Sequence, residues 1–139
     1  MSIRSRHSSR GRGGVAAVEL AIVLPFLCFL FVVAVDFARI FYFSLTVANC
    51  ARNGALYGSQ NPTNALDTSG IASAAAMDAD NLNSQLLAVT SATDSATSPT
   101  YVDVTVTYPF TTITGFPGIS SQTTITRTVR MLVVPLTPN

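Results

Sequence analysis

Between Gly14 and Val35 the chain reads GVAAVELAIVLPFLCFLFVVAV, and from Val15 onward Glu19 is the only charge in it. A helix rises about 1.5 Å per residue, so Val15–Val35 is roughly 30 Å long, the thickness of a bilayer's hydrocarbon core. The sequence therefore predicts a membrane-spanning helix, and the rest of the chain is read by its relation to it. With 139 residues in all, one small domain fits beside such an anchor. Charged residues make up only 11%, against about 25% in ordinary soluble domains. That deficit suits a chain partly in lipid and otherwise rich in Thr, Ser and Asn.

The net charge of +1 hides an asymmetry. Arg4, Arg6, Arg10 and Arg12 precede the span, while Arg39, Arg52, Arg127 and Arg130 share the remainder with six aspartates. Cytoplasmic flanks carry the excess of Arg and Lys. The amino end is thus expected in the cytoplasm and the carboxyl-terminal domain outside, on a single-pass protein of the cytoplasmic (inner) membrane. Four arginines without interleaved aromatics are a poor nucleic-acid signature, and no nucleic-acid partner is expected. Residues 1–14, MSIRSRHSSRGRGG, are polar and non-periodic and are expected to be a disordered basic leader. A cleaved signal peptide fits less well. The apolar run exceeds an ordinary h-region, and Asp36-Phe37-Ala38-Arg39 continues a helical pattern where a small-residue cut site would stand.

Glu19 lies about one turn inside the span, where a carboxylate costs a few kcal/mol unless it has a partner or a job. One reading is that it snorkels to the cytoplasmic interface. The other turns on Gly14. A cut after Gly14 gives Val15 a new α-amino group and makes Glu19 the fifth residue. The ammonium of one subunit could then neutralise Glu19 of a neighbour displaced along a helix bundle and set its register.

The run Gly14-Val15-Ala16-Ala17-Val18-Glu19, after a basic leader and opening a long apolar helix, resembles the processing site of type IV-type prepilins. The longer run through Leu20-Ala21-Ile22-Val23-Leu24-Pro25 resembles the opening of the TadE-like proteins, pseudopilin-like components of the tight-adherence (Flp-type) pilus system. Ala51-Arg52-Asn53-Gly54-Ala55 resembles the same family's helix end. Many relatives carry an aromatic residue after the glutamate, where this chain has Leu20. The resemblance implies processing by an aspartyl prepilin peptidase at Gly14, with other pilin-like subunits, secretion platform proteins and membrane lipid as partners.

Pro25 removes one backbone hydrogen bond and predicts a kink near Ala21–Pro25. Ala17/Ala21 and Ala34/Ala38 form small-x-x-x-small pairs that permit close helix–helix packing. Phe26, Phe29 and Phe31 read as lipid- or partner-facing bulk. Asp36 and Arg39 stand at i, i+3 at the far interface and can pair, with Tyr42 as an interfacial anchor. The helical spacing continues through Phe37, Phe41, Leu45 and Ala48 to about Tyr57, with the small residues Ala48, Ala51 and Ala55 placed to pack on a sheet. Gly58 and Asn61-Pro62 are expected to end the helix.

The domain plan is therefore leader 1–14, transmembrane and extended helix 15–57, and a small extracytoplasmic domain 58–139. Within the last, 58–70 is turn-rich. Ile71–Leu82 is expected as a short helix with Ser69 as N-cap and Ile71, Ala75, Ala79 and Leu82 on one side. Strands are expected at Leu86–Thr93, Tyr101–Tyr108 and Thr123–Val134. The central one alternates Val102, Val104, Val106 and Tyr108 against Tyr101, Asp103, Thr105 and Thr107. Arg127 interrupts the apolar face of the last strand, which predicts a bulge or an edge position; Pro135 and Pro138 should close it. The loop 109–122 carries Phe110, Ile113, Phe116 and Ile119, and could tuck over the core or touch a partner or the membrane. The fold class is α+β: a long pilin-like helix followed by a small antiparallel sheet with one short helix.

Nothing points to catalysis. The single histidine is His7, and no Ser/His/Asp, Cys/His or phosphate-cradling glycine pattern occurs. Cys28 and Cys50 are 22 residues apart, roughly 33 Å on one helix, too far to bridge. Asp78 and Asp80 lack a calcium-loop pattern. No catalytic residue, cofactor or metal is expected. Two function classes remain: a pseudopilin-like subunit in pilus assembly or a related secretion system, and an unprocessed membrane-anchored extracytoplasmic binding module.

Overall fold

The computed structural model describes residues 12–94, 100–113 and 121–136, with side chains from residue 14 onward. The expected disorder of residues 1–11, the placement of Phe116 and Ile119, and the stop at Pro138 lie outside these residues; Arg12, Gly13 and Gly14, expected in the disordered leader, instead open the first helix, whose period continues back from the apolar run. Helix α1 spans Arg12–Ser59, α2 Pro62–Leu66 and α3 Thr68–Ala76; a 3-10 turn follows at Ser84–Leu86. Strands are β1, Ala88–Asp94; β2, Tyr101–Thr111; and β3, Gln122–Leu132. The architecture is the expected α+β one. The chain falls into two units that divide between Val35 and Asp36.

In the first unit, α1 runs on through Pro25. Apolar residues surround the helix axis on every side, the pattern of a helix that is not half-buried on a protein core.

In the second unit, the three strands form one antiparallel sheet in the order β1-β2-β3. Both registers run unbroken: Val104 stands opposite Ser91 and Val129, and Val106 opposite Val89 and Arg127. The alternation read from Tyr101–Tyr108 is realised, with Val102, Val104, Val106 and Tyr108 buried while Tyr101, Asp103, Thr105 and Thr107 are only partly covered. Phe110 extends the buried face, so β2 continues past Tyr108 and takes Phe110 out of the expected loop. On the other face threonines pair across strands, Thr105 Oγ1 with Thr128 Oγ1 at 2.8 Å. Arg127 resolves as an edge residue without a bulge. It shares the core side with Val106 but lies on the outermost strand, and its guanidinium donates to Ser44 Oγ on α1.

The core sits between that face and the helices: Val47, Cys50, Ala51 and Ala55 of α1, Ile71 and Ala75 of α3, and the β2 valines with Phe110. Each fully buried Val, Ile or Phe contributes about 1.5–3 kcal/mol relative to exposure, so packing holds the arrangement. The small stripe expected on α1 is buried at Ala51 and Ala55 and half-buried at Ala48. Two glycines complete it. A Cβ on Gly54 would stand 3.1 Å from Val104 Cγ1 and 3.2 Å from the Ile71 carbonyl oxygen. One on Gly58 would meet Val102 and Ile71 side chains at 3.2 Å. Glycine at these positions brings the helix backbone onto the sheet.

The first expected strand begins at Ala88, because Leu86 is taken into the 3-10 turn, and the last ends at Leu132 rather than Val134, just before Pro135. Between residues 58 and 82 three further boundaries differ from the sequence reading. Residues 58–70 are not all turn: Asn61 caps α2, its side-chain oxygen accepting from the Asn64 N–H at 2.8 Å, and Pro62 sits where a missing N–H is harmless. Asp67, not Ser69, caps α3: its Oδ1 accepts from the Gly70 N–H at 2.9 Å and from Ser69 Oγ at 2.7 Å. Finally, α3 stops at Ala76 rather than continuing to Leu82. Asp78, Asp80 and Asn81 follow, residue types whose side chains compete for backbone groups and favour turns. Ala79 and Leu82 are nevertheless buried, carried on successive turns.

The Asp67 cap also receives Tyr57 Oη at 2.9 Å. Donation from Ser69, the Gly70 N–H and Tyr57 holds the Asp67 carboxyl below its ordinary range, and the same bond pushes the Tyr57 hydroxyl up. Gly70 is where these groups converge, and an added Cβ there would overlap both Asp67 and Tyr57. Gly70→Val is therefore expected to break the cap and lower the melting temperature by about 5–10 °C, read by circular dichroism. An unchanged transition would show that the network carries no stability.

Candidate functional site

In the first unit the functional features lie along α1. An 18-residue window with mean hydropathy 2.8 has none of its residues buried within the protein. Leu20, Ile22, Leu24 and Phe31 are all exposed. The core helix of a water-soluble domain would bury such a face; this one has no covering among the described residues of its own chain. The helix is thus long and apolar enough to span a membrane.

Gly14, Val15 and Glu19 lie together in the opening turns of α1, all exposed. A Cβ at Gly14 would meet nothing within 4 Å. The structure thus places the three residues on a helix and in the open. Ala17, Ala21, Ala34 and Ala38 are exposed as well. Each alanine pair leaves a shallow strip on the helix surface, geometry that admits a second helix at short range.

In the second unit the Asp36–Arg39 pair forms as the spacing predicted. Arg39 Nη1 donates to Asp36 Oδ1 at 3.3 Å. The sequence did not show the rest. Asp36 is only 5% exposed, and its Oδ1 also accepts the backbone N–H of Ile113 at 3.0 Å, 77 residues away. Donors on both sides make a buried carboxylate tolerable. The Arg39 guanidinium also lies over the rings of Phe110, 5.1 Å away, and Phe43, 5.9 Å away. Phe43 in turn stacks at a tilt on Phe110 and Tyr108. The start of α1 in this unit and the end of β2 are thus joined by one carboxylate and an aromatic cluster. A partner carboxylate on β2 is fixed differently: Arg130 forks onto Asp103 at 2.7 and 2.6 Å, holding that carboxyl below its ordinary range.

Among the described residues, no three His, Cys, Asp or Glu side chains gather as a metal site would require. Cys28 is exposed and Cys50 buried, both as free thiols, and burial pushes the Cys50 thiol up. A thiol held in its neutral form by burial is a poor nucleophile. A shallow open groove between α3 and β1 is lined by Ala72, Ser73, Ala76, Ser84, Leu87 and Val89, without an ionisable group.

Residues 14–56 match the family model of the TadE-like proteins. The TadE-like segment coincides with α1 almost end to end and stops short of the sheet. It contains Gly14, Val15, Glu19, Pro25 and all four alanines. The family is associated with the tight-adherence pilus and is structural rather than enzymatic, and the apolar helix agrees with it. No curated protein and no solved structure matches the chain.

Proposed function

We propose that this protein is a single-pass, pseudopilin-like subunit that takes part in assembling a tight-adherence pilus or a related secretion system. Its arginine-rich end stays in the cytoplasm, and the β-domain stands outside. The reading is carried by one observation: the part of the TadE-like segment from Gly14 to Val32 is apolar and exposed, and its single charge is Glu19, the fifth residue of a chain that starts at Val15.

Processing after Gly14 follows from the same residues. Gly14 lies in the helix, so a peptidase must open a turn to reach the bond. Each of Gly13 and Gly14 costs a helix about 1 kcal/mol relative to alanine, which lowers the work of opening it there. The released Val15 ammonium then has one carboxylate to meet inside lipid, Glu19 of a neighbouring subunit. Ala17 and Ala21, and Ala34 and Ala38, supply the close contact between helices, while a prepilin peptidase and the secretion platform act on the protein in the membrane.

Mass spectrometry of protein isolated from its own membranes tests this. The expected mature chain begins at Val15. Glu19→Ala leaves one charge of a buried pair uncompensated, about 3 kcal/mol, and should reduce subunit association in the membrane roughly a hundredfold by cross-linking yield. A chain that keeps Met1 or Ser2, with association indifferent to Glu19, overturns the proposal and favours the unprocessed binding module.

A further inference from the structure

The sheet has two outer edges, β1 and β3, and they differ. The Val133 N–H donates to the Thr100 carbonyl at 2.9 Å and the Thr112 N–H to the Ser121 carbonyl at 3.0 Å, extending the β2–β3 ladder at both ends. Antiparallel residues alternate between pairs that exchange both bonds and pairs that exchange none. The even-numbered residues of β2 therefore turn their backbone toward β3, and Tyr101, Asp103, Thr105 and Thr107 turn theirs toward β1. Their partners on β1 are Asp94, Ala92, Thr90 and Ala88. Val89, Ser91 and Thr93 are left with N–H and C=O directed away from the sheet, and no backbone group among the described residues takes them up.

An open edge is a template for another strand unless charge, proline or a bulge guards it. Strand β3 is guarded. Arg127 sets a charge on the core side of that edge, and its Nη1 donates to the outward carbonyl of Thr126 at 3.1 Å. Just beyond the strand, the Val134 N–H is spent on the Ser59 carbonyl at 2.8 Å. From Ala88 to Thr93, by contrast, β1 has no charge, no proline and an unbroken register. The groove walled by Ala72, Ser73 and Ala76 of α3 opens beside it, with Leu87 and Val89 on the other wall. Val89, Ser91 and Thr93 stand opposite the buried Val106, Val104 and Val102, so they share the face that the helices cover. Residues of an added strand paired with them would carry their side chains on that same face, into the groove.

Charge selects the occupant. The groove itself has no ionisable group, and its walls are small and mostly apolar. No Arg, Lys or His occurs between Arg52 and Arg127, while Asp78 and Asp80, both exposed, stand between the lining residues Ala76 and Ser84. Asp94 ends β1. A second copy of the chain would bring either the guarded β3 or the same acidic flank. We propose that β1 receives an added strand from a partner protein, an extended segment whose apolar side chains enter the α3–β1 groove and whose flanks carry Arg or Lys. Backbone bonds to Val89, Ser91 and Thr93 supply the hold, and the groove and aspartates supply the selection. The site lies wholly within the second unit and does not depend on the proposed function.

Fluorescence anisotropy tests this with full-length protein in detergent and a short labelled peptide, valine alternating with threonine between terminal arginines. Saturable binding is expected, and glutamates in place of the arginines should weaken it about tenfold. Ser91→Pro deletes an outward N–H and spares the ladder to β2; it should weaken binding by about tenfold or more. Thr128→Pro is the matched control, because the Thr128 N–H also points outward, on β3, and its binding should be unchanged. Ala76→Leu fills the groove and should weaken binding while leaving the edge intact, so the test survives if Ser91→Pro fails to fold by circular dichroism. No saturable binding, or equal loss in Ser91→Pro and Thr128→Pro, overturns the proposal. Self-association without peptide that Ser91→Pro abolishes also overturns it, and gives the edge to a second copy.

Discussion

Gly54→Leu is expected to lower the melting temperature by roughly 15 °C. Three contacts decide this. The first side-chain carbon would already press on Val104 Cγ1, Ala75 Cβ and the Ile71 carbonyl oxygen, all within 3.1 to 3.3 Å. Val104 can turn slightly, but the carbonyl belongs to the backbone of α3 and cannot. The three heavy atoms of leucine beyond Cβ have no room, so α1 must lift from β2 or α3 must shift. Overpacking of this kind costs about 3 kcal/mol, and each kcal/mol moves the transition of a domain this size by about 5 °C. Gly54→Ala is the internal control. Its single methyl meets the same atoms, but the gain in helix propensity of about 1 kcal/mol offsets part of the strain, so its shift should be small. Gly58→Ala should be milder still, because its neighbours are the ends of Ile71 and Val102 side chains. Thermal unfolding in detergent, followed by circular dichroism, ranks the three. Equal, small shifts would mean that helix and sheet are not in the contact described.

Leu24→Arg combined with Leu27→Arg is expected to abolish stable membrane insertion. Both leucines lie near the middle of the apolar window and are exposed on α1. An arginine at the centre of a spanning helix costs about 3 kcal/mol on insertion scales, so two shift the balance by about 6 kcal/mol, roughly ten-thousandfold. Leu56→Arg is the matched control: it is also exposed on α1, but it lies in the unit beyond the span. Alkaline extraction of isolated membranes should leave the unaltered protein and the Leu56 variant in the pellet and release the double variant. Retention of the double variant would place the spanning segment elsewhere.

The parts of the fold with a strong period were legible before the structure. Val102, Val104 and Val106 alternate with polar residues and have a fixed burial consequence in any half-wet sheet. Ile71 and Ala75 are one helical turn apart and buried. Short elements were not legible. Helix α2 has five residues, too few to show a period, and its signal is only Asn61 followed by Pro62. Asp67 outcompeted Ser69 as a cap because its carboxylate accepts several donors at once. Long-range bonds to backbone were invisible in principle. Nothing in the sequence around Ile113 announces that its N–H will meet Asp36, since an N–H is common to every residue but proline. The long apolar helix could be found because a run that long with one charge is rare outside a membrane-span-capable segment. The cluster of Asp36, Arg39, Phe43 and Phe110 could not, since only folding brings its halves together.

Val47, Cys50, Ala51 and Ala55 belong to the core of the β-domain and, equally, to the helix that begins at Arg12. No linker stands between the two roles. An endoprotease cutting between residues 43 and 59 would not release a soluble domain; it would remove one wall of the hydrophobic interior and leave the sheet uncovered. Release of the domain with its core intact is therefore confined to the few bonds between Asp36 and Tyr42.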